Sequence, residues 1–307
     1  MENTPNKIHT SICPVCGSKE IAPFLSCKDN LTTQEVFDIC KCPVCGFAFT
    51  QDFPSEKEIG KYYEATAYVS HSDTHKGIIN TLYHWARKVA LKSKAKMVAS
   101  YADNRKGMLL DIGSGTGYFL NKMKEQKWIV TGIEKSDAAR QYTKQKFDID
   151  CQPSEYLYEI PCKTKDVITM WHVLEHLEHL NSVLDHIQGI LKNDGTLIIA
   201  LPNKDSYDAA HYKEYWAAYD VPRHLWHFSP SDFEHLANRH QFEVVDTKPM
   251  YFDAFYISML SEQNKGTTLG SLVGLIKGGI YFLKSLGNKE RCSSLTYILK
   301  KKEIKQK

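Results

Sequence analysis

The run Asp111-Ile112-Gly113-Ser114-Gly115-Thr116-Gly117 decides how the rest of the chain is read. It lies between Met108–Ile112, a short apolar run of strand type, and residues 118–126, whose apolar spacing is helical. Glycines at such a junction let the backbone turn sharply and bring its N–H groups against a ligand. Working outward, 129–133 reads as a strand, 138–147 as a helix and 167–171 as a strand. Residues 180–191 follow as a helix, and 196–201 as a strand after an Asn193-Asp194-Gly195 turn. Ser229-Pro230-Ser231-Asp232 caps a further helix, and 242–246 and 294–300 supply the last strands. Strands spaced by helices predict an α/β fold of Rossmann-like type, its sheet covered on both faces.

The chemistry begins with the acids around the turn. Its third glycine comes one residue earlier than in the G-x-G-x-x-G dinucleotide pattern. Asp111, two residues before the first glycine, would repel a pyrophosphate. A carboxylate there suits a ligand with a cationic amino-acid end, and S-adenosylmethionine (SAM) carries an ammonium and a sulfonium without any phosphate. Glu134 ends the next strand, 23 residues downstream of Asp111, from where it can accept both ribose hydroxyls. Gly113, Ser114, Gly115 and Gly117, with those two acids, form the expected cofactor cradle.

Two histidine-bearing stretches follow. His172-Val173-Leu174-Glu175-His176 matches H-x-x-E-H, a metalloprotease motif that needs one continuous helix. His172 falls at a predicted strand end, so the protease reading is set aside. His176 lies past the strand at 167–171, on the sheet edge that faces ligands in such folds. Asp220-Val221-Pro222-Arg223-His224-Leu225-Trp226-His227 forms a loop after the strand at 196–201. A histidine near the working pH suits removal of an acceptor's proton, with His176 and His224 as candidates and His227 structural. Tyr62, Tyr63, Tyr68 and His71 make an aromatic-polar cluster that either covers the crevice or packs a helix.

Six of the nine cysteines crowd into the first 45 residues. Cys13-Pro14-Val15-Cys16-Gly17 recurs as Cys42-Pro43-Val44-Cys45-Gly46, and two such knuckles present four thiolates in the tetrahedron that structural zinc prefers. Cys27 and Cys40 stand as alternative ligands. Three regions result: a zinc-ribbon-like module over 1–53, a helical and aromatic cap over 54–106, and the α/β domain over 107–307 with a helical insertion at 250–293.

Over 107–302 the chain resembles the class I SAM-dependent methyltransferases, on the glycine turn, Glu134, the stretch 166–176 and Leu197-Ile198-Ile199-Ala200-Leu201-Pro202-Asn203. The resemblance implies a seven-strand sheet with the last strand antiparallel. It places Trp171 and His172 in the adenosine pocket, and Ser154 where many members carry an acid near the adenine amine. Zinc module, aromatic segment and domain together look like the C-methyltransferases of nucleotide-linked deoxysugars. That likeness implies roles in the chemistry for Tyr68, His176 and the pair Arg223-His224. Arg223 replaces a glutamate of that pattern, and an arginine there suits an anionic substrate group.

Composition narrows the rest. Hydrophobic content of 42% with 24% charged residues is ordinary for a globular chain, and a net charge of +3 gives no push towards nucleic acid. The opening residues show no basic run followed by an apolar stretch, which makes the cytoplasm the expected compartment. Lys277 and Lys284 interrupt the most apolar region, 270–287, so packing on the sheet or a second subunit is expected before contact with a membrane surface. The leading expectation is methyl transfer to a small molecule, a sugar or nucleotide-linked sugar. Methylation of RNA gripped by the zinc module, and a non-enzymatic zinc- and SAM-binding role, are its competitors.

Overall fold

The computed structural model describes residues 7–63 and 78–303 except 104. Five short strands open the chain: β1 (Lys7–Ile8), β2 (Ala22–Lys28), β3 (Val36–Lys41), β4 (Ala48–Thr50) and β5 (Phe53–Pro54). Helix α1 (Ile78–Tyr101) leads into β6 (Met108–Ile112), α2 (Tyr118–Glu125), β7 (Ile129–Ile133) and α3 (Asp137–Phe147). Then come β8 (Lys165–Trp171), α4 (Leu180–Ile190), β9 (Leu191–Pro202), α5 (Tyr207–Tyr212) and β10 (Trp226–His227). The chain closes with α6 (Pro230–Arg239), β11 (Phe242–Pro249), α7 (Asp253–Asn264), α8 (Gly270–Gly287) and β12 (Ser294–Lys301).

The central sheet runs β11-β12-β9-β8-β6-β7. Pairings among β7, β6, β8 and β9 are parallel, while β12 is antiparallel to both neighbours. Among the described residues it has six strands, which corrects the expected seven. The missing one is a single parallel bridge, Ile133↔Gln152, and Pro153, which cannot donate to a ladder, follows at once. The Asn193-Asp194-Gly195 segment is likewise no separate turn; it lies within β9 as an irregularity in the register with β8.

Strand alternation fills two cores. Leu109, Val167 and Ile198 point towards Ala95, Val98, Phe119 and Met123 of α1 and α2. Leu110, Ile168 and Leu197 point the other way, towards Leu184 and Ile187 of α4 and Phe233 and Leu236 of α6. Each such side chain contributes about 1.5–3 kcal/mol by leaving water. Both faces are covered, as the apolar runs require.

The N-terminal module is not a separate bead. Its sheet runs β10-β4-β3-β2, so β10, from the loop after β9, completes it. Phe47 stacks on Trp226 with ring centroids 6.1 Å apart, and Phe49 and Phe53 pack on the same indole. Residues 250–293 contain α7 and α8. Gly274 and Gly278 let α8 lie against the backbone of α7, where a Cβ on either would come within 2.4–2.6 Å of main-chain atoms. The far side of α8 leaves Leu272, Ile276, Ile280 and Leu283 exposed. Among the described residues no helix is long and apolar enough to cross a membrane.

Candidate active site

The parallel register of β6 and β8 sets Asp111 beside Thr169, whose hydroxyl donates to Asp111 Oδ1 at 2.6 Å. Asp111 is only 1% exposed, and burial pushes its carboxyl up to about 7, against the pull of Thr169 and Lys94. The chain then turns. The N–H groups of Gly113 and Ser114 donate to Ile133 O, at 2.8 and 3.0 Å. Gly113 adopts φ 71°, and a Cβ there would lie 2.4 Å from Val173 Cγ2. Gly115, at φ 53°, would meet nothing within 4 Å, so its backbone faces open space. Glu134, past the end of β7, accepts from Gly115 N–H at 2.8 Å and Ser136 N–H at 2.9 Å, tying the two strand ends together.

These residues fit SAM. The buried Asp111 carboxylate has one hydroxyl partner and feels the Lys94 ammonium at a distance, so the ammonium of SAM would add a direct ion pair. The space beside Gly115 is open, next to the Glu134 carboxylate that its N–H contacts. Trp171 ends β8, and its indole N–H has no partner among the described residues. Ser154 opens a short 3-10 turn just after the Gln152 bridge, beside the strand that carries Glu134.

Two residues escaped the sequence reading. Lys94 of α1 holds its ammonium 4.2 Å above the Trp171 ring, under the influence of Asp111 and Asp253, while burial pulls its pKa down. Asp253 of α7 lies 3.6 Å from His172 Nε2, on whose other side Glu175 lies 3.4 Å from Nδ1. Burial lowers the His172 pKa, but these two acids more than offset that and raise it to about 9. Neither contact has a local sequence signal, since both depend on helices far away along the chain.

His172 takes φ 58° and leaves the strand, and Leu174–His176 is a 3-10 turn, so the H-x-x-E-H residues share no helix face. Instead His176 meets His224, with ring centroids 4.5 Å apart. His176 Nδ1 lies 3.0 Å from Arg223 O and 3.2 Å from the Tyr63 hydroxyl, and His224 Nδ1 lies 2.8 Å from Ala218 O. Burial, then His224, pushes His176 down to about 4. His227 is buried in β10 with Nε2 3.1 Å from Thr50 Oγ1, a structural placement.

Arg223 does not face a substrate. It is 1% exposed, and its guanidinium donates to Asp29 at 2.9 Å, Asp220 at 2.6 Å and Tyr62 O at 2.9 Å. The arginine that stands in the glutamate position is spent on joining the N-terminal module to the loop that bears His224. Tyr68 and His71 lie outside the described residues.

The knuckles converge as their repetition demands. Gly17 N–H bonds Cys13 O and Gly46 N–H bonds Cys42 O, each at 2.9 Å, with both glycines at positive φ. One sulfur from each of Cys13, Cys16, Cys42 and Cys45 falls within 4.8 Å of the others, which fits a zinc ion held by four thiolates. Cys27 is instead buried beside Phe37 and Tyr62, and Cys40 packs in the larger core, so neither takes part.

Comparison with known proteins agrees with this geometry. The chain is 31% identical over 101 residues to an uncharacterized methyltransferase of Alkaliphilus oremlandii, across 32% of this chain and 47% of that protein. It is 28% identical over 130 residues to an uncharacterized protein of Methanocaldococcus jannaschii, across 42% of this chain and 55% of that one. The chain thus spans about half the length of these curated relatives. Magnesium protoporphyrin IX methyltransferase from Synechocystis PCC 6803, solved with bound SAH, has the same fold, at a TM-score of 0.50 and 13% identity over 79% of this chain and 97% of that one. A SAM-dependent methyltransferase from Archaeoglobus fulgidus gives a TM-score of 0.49 at 20% identity, over 70% of this chain and 94% of that one. The profile of a family described as a methyltransferase domain matches residues 83–247, more than half of the 307. With its acid-flanked glycine turn and its sheet order, the chain belongs to the methyltransferase domain family.

Proposed function

We propose that this chain transfers the methyl group of SAM to a small molecule, a sugar or nucleotide-linked sugar, whose proton is taken up at the corner formed by His176 and His224. The observation that carries the reading is the meeting of both parts at one sheet edge. His172 joins them: it follows Trp171 directly, and its ring bridges Asp253 and Glu175. SAM would supply an electrophilic methyl on a positively charged sulfur. Asp111 and Glu134 would hold its two ends, and Gly113, Ser114 and Gly115 would leave the backbone close enough for contact.

The partners of His176 and His224 fix which nitrogen faces the backbone. A backbone carbonyl only accepts, so each Nδ1 carries the hydrogen, and in the neutral ring the lone pair then sits on Nε2. Such a nitrogen can take a proton from a hydroxyl or an acidic C–H as the acceptor attacks. The sugar class rests on the likeness in layout, with a cysteine-knuckle module ahead of the domain. Tyr68 remains a candidate from that likeness.

The test is release of SAH from SAM, followed across a panel of nucleotide-linked ketosugars and free sugars. His224→Ala is expected to slow turnover by roughly 10²–10⁴-fold, the usual contribution of a general base, with SAH affinity unchanged. Full turnover in that variant removes His224 from the chemistry, and silence of the whole panel removes the sugar class.

A further inference from the structure

The corner assigned to acceptor activation holds a third group that a pair of bases does not explain. Glu175, in the turn after β8, has no solvent exposure, yet neither carboxylate oxygen has a hydrogen-bond partner among the described residues. Leaving a buried carboxylate without donors is costly, and the His172 ring at 3.4 Å offers one of its oxygens an ion pair only. A Glu175 oxygen and one nitrogen from each of His176 and His224 lie within 4.8 Å of one another.

The surroundings of the two rings are those of metal ligands. Each Nδ1–H is held by a main-chain carbonyl, Arg223 O or Ala218 O, which fixes ring and tautomer and leaves Nε2 bare. The loop between them is itself anchored. Arg223 is clamped between Asp29 and Asp220, and His224 N–H bonds Asp220 O at 3.0 Å. The knuckle module thereby braces the loop that carries one ligand.

We infer that Glu175, His176 and His224 form a second metal site, for a divalent first-row transition ion, distinct from the four thiolates. Two imidazoles and one carboxylate suit zinc or iron(II) and leave coordination positions open. Closing to ligand distances of about 2.0–2.2 Å asks the three atoms to draw in by roughly an ångström, a side-chain adjustment. The open positions would take an oxygen of the acceptor. This inference rests on the reading of the corner as the acceptor site and changes the agent there. A ring whose Nε2 binds the ion could no longer take up the acceptor's proton; that proton would pass to solvent water from the metal-bound acceptor oxygen, whose acidity the ion would raise.

The test is metal content of the purified full-length chain by mass spectrometry, alongside SAH calorimetry on the same samples. Wild type is expected to carry two metal ions per chain. Glu175→Gln and His224→Ala should each carry one, and Cys42→Ser should lose the other. Cobalt(II) titration gives a second readout, independent of whether a variant folds poorly: wild type should show a thiolate charge-transfer band and a separate visible band without one. The second band should vanish in Glu175→Gln. One metal per chain, lost only with the cysteines, overturns the site, as does a second metal retained in both Glu175→Gln and His224→Ala. SAH binding with a single metal leaves the proposed function standing while this site fails. Two metals without SAH binding keeps the site and removes the proposed function.

Discussion

The cysteine knuckles and the rim at the C-terminal ends of β6, β7 and β8 both gather polar side chains, but they are built in opposite ways. Each knuckle is five residues long and closes on itself through its own backbone, with only outer support such as the Asn181 and Arg239 side chains on Pro14 O and Val15 O. The rim collects Lys94 from α1, Asp111 and Glu134 from strand ends, Glu175 and His176 from a turn, His224 from a loop and Asp253 from α7. The first arrangement is local and closed, so it suits a structural ion. The second is long-range and open on one side, so it can admit ligands and be tuned by distant packing.

The two regions are nevertheless mechanically coupled, and zinc removal is the strongest way to break the contrast. Binding of structural zinc is worth about 10–16 kcal/mol in zinc-finger peptides, so Cys42→Ser should unfold the module. Because β10 and Trp226 belong to both regions, scanning calorimetry should show the loop after β9 loosening too, as one broadened, lowered transition. An unaltered main transition would show that the module is an independent appendage.

Arg223→Ala probes the same coupling at one joint. It leaves Asp29, which has no exposure, without its guanidinium partner. Breaking a buried pair in this way costs roughly 3–5 kcal/mol, and chemical denaturation should report a loss of that order. A loss under 1 kcal/mol would return Arg223 to the list of candidate substrate contacts.

Legibility divided along the same line. Cys13, Cys16, Cys42 and Cys45 could be named from the sequence because a repeated five-residue pattern carries the whole geometry. The strands and the glycine turn were legible because apolar alternation and φ > 0 are local demands. Arg223 was misread because its partner, Asp29, is 194 residues away, and no spacing rule reports such a pair. Lys94 and Asp253 were missed for the same reason. The seventh strand that the resemblance implies shrank to the Ile133↔Gln152 bridge because Pro153 follows it, a cue that was present but outweighed by the resemblance. Glu175 was seen only inside a motif that needed a helix.

A smaller effect sharpens the rim itself. Asp111 is pushed up to about 7 from its ordinary 3.8, so between those values the folded chain binds a proton that the unfolded chain does not. Its contribution to stability therefore falls as pH rises through that window. Binding of an ammonium needs the ionised form. Affinity for SAH should accordingly rise, by at most about tenfold per pH unit, up to about pH 7 and level off above it. Calorimetry across pH would check this, and Asp111→Asn should flatten the profile. A wild-type affinity that is flat or falls with pH would contradict the role given to Asp111.

Everything at the rim depends on a cationic methyl donor lying between Asp111 and Glu134, and the most direct measurement is titration of the metal-replete chain with SAM and, separately, with NAD. One SAM per chain is expected, with no heat from NAD. Glu134→Ala should weaken SAM by roughly ten- to a hundredfold, since hydrogen bonds to a charged group are worth about 1.5–3 kcal/mol. Preference for NAD, or SAM binding that is indifferent to Glu134, would contradict it.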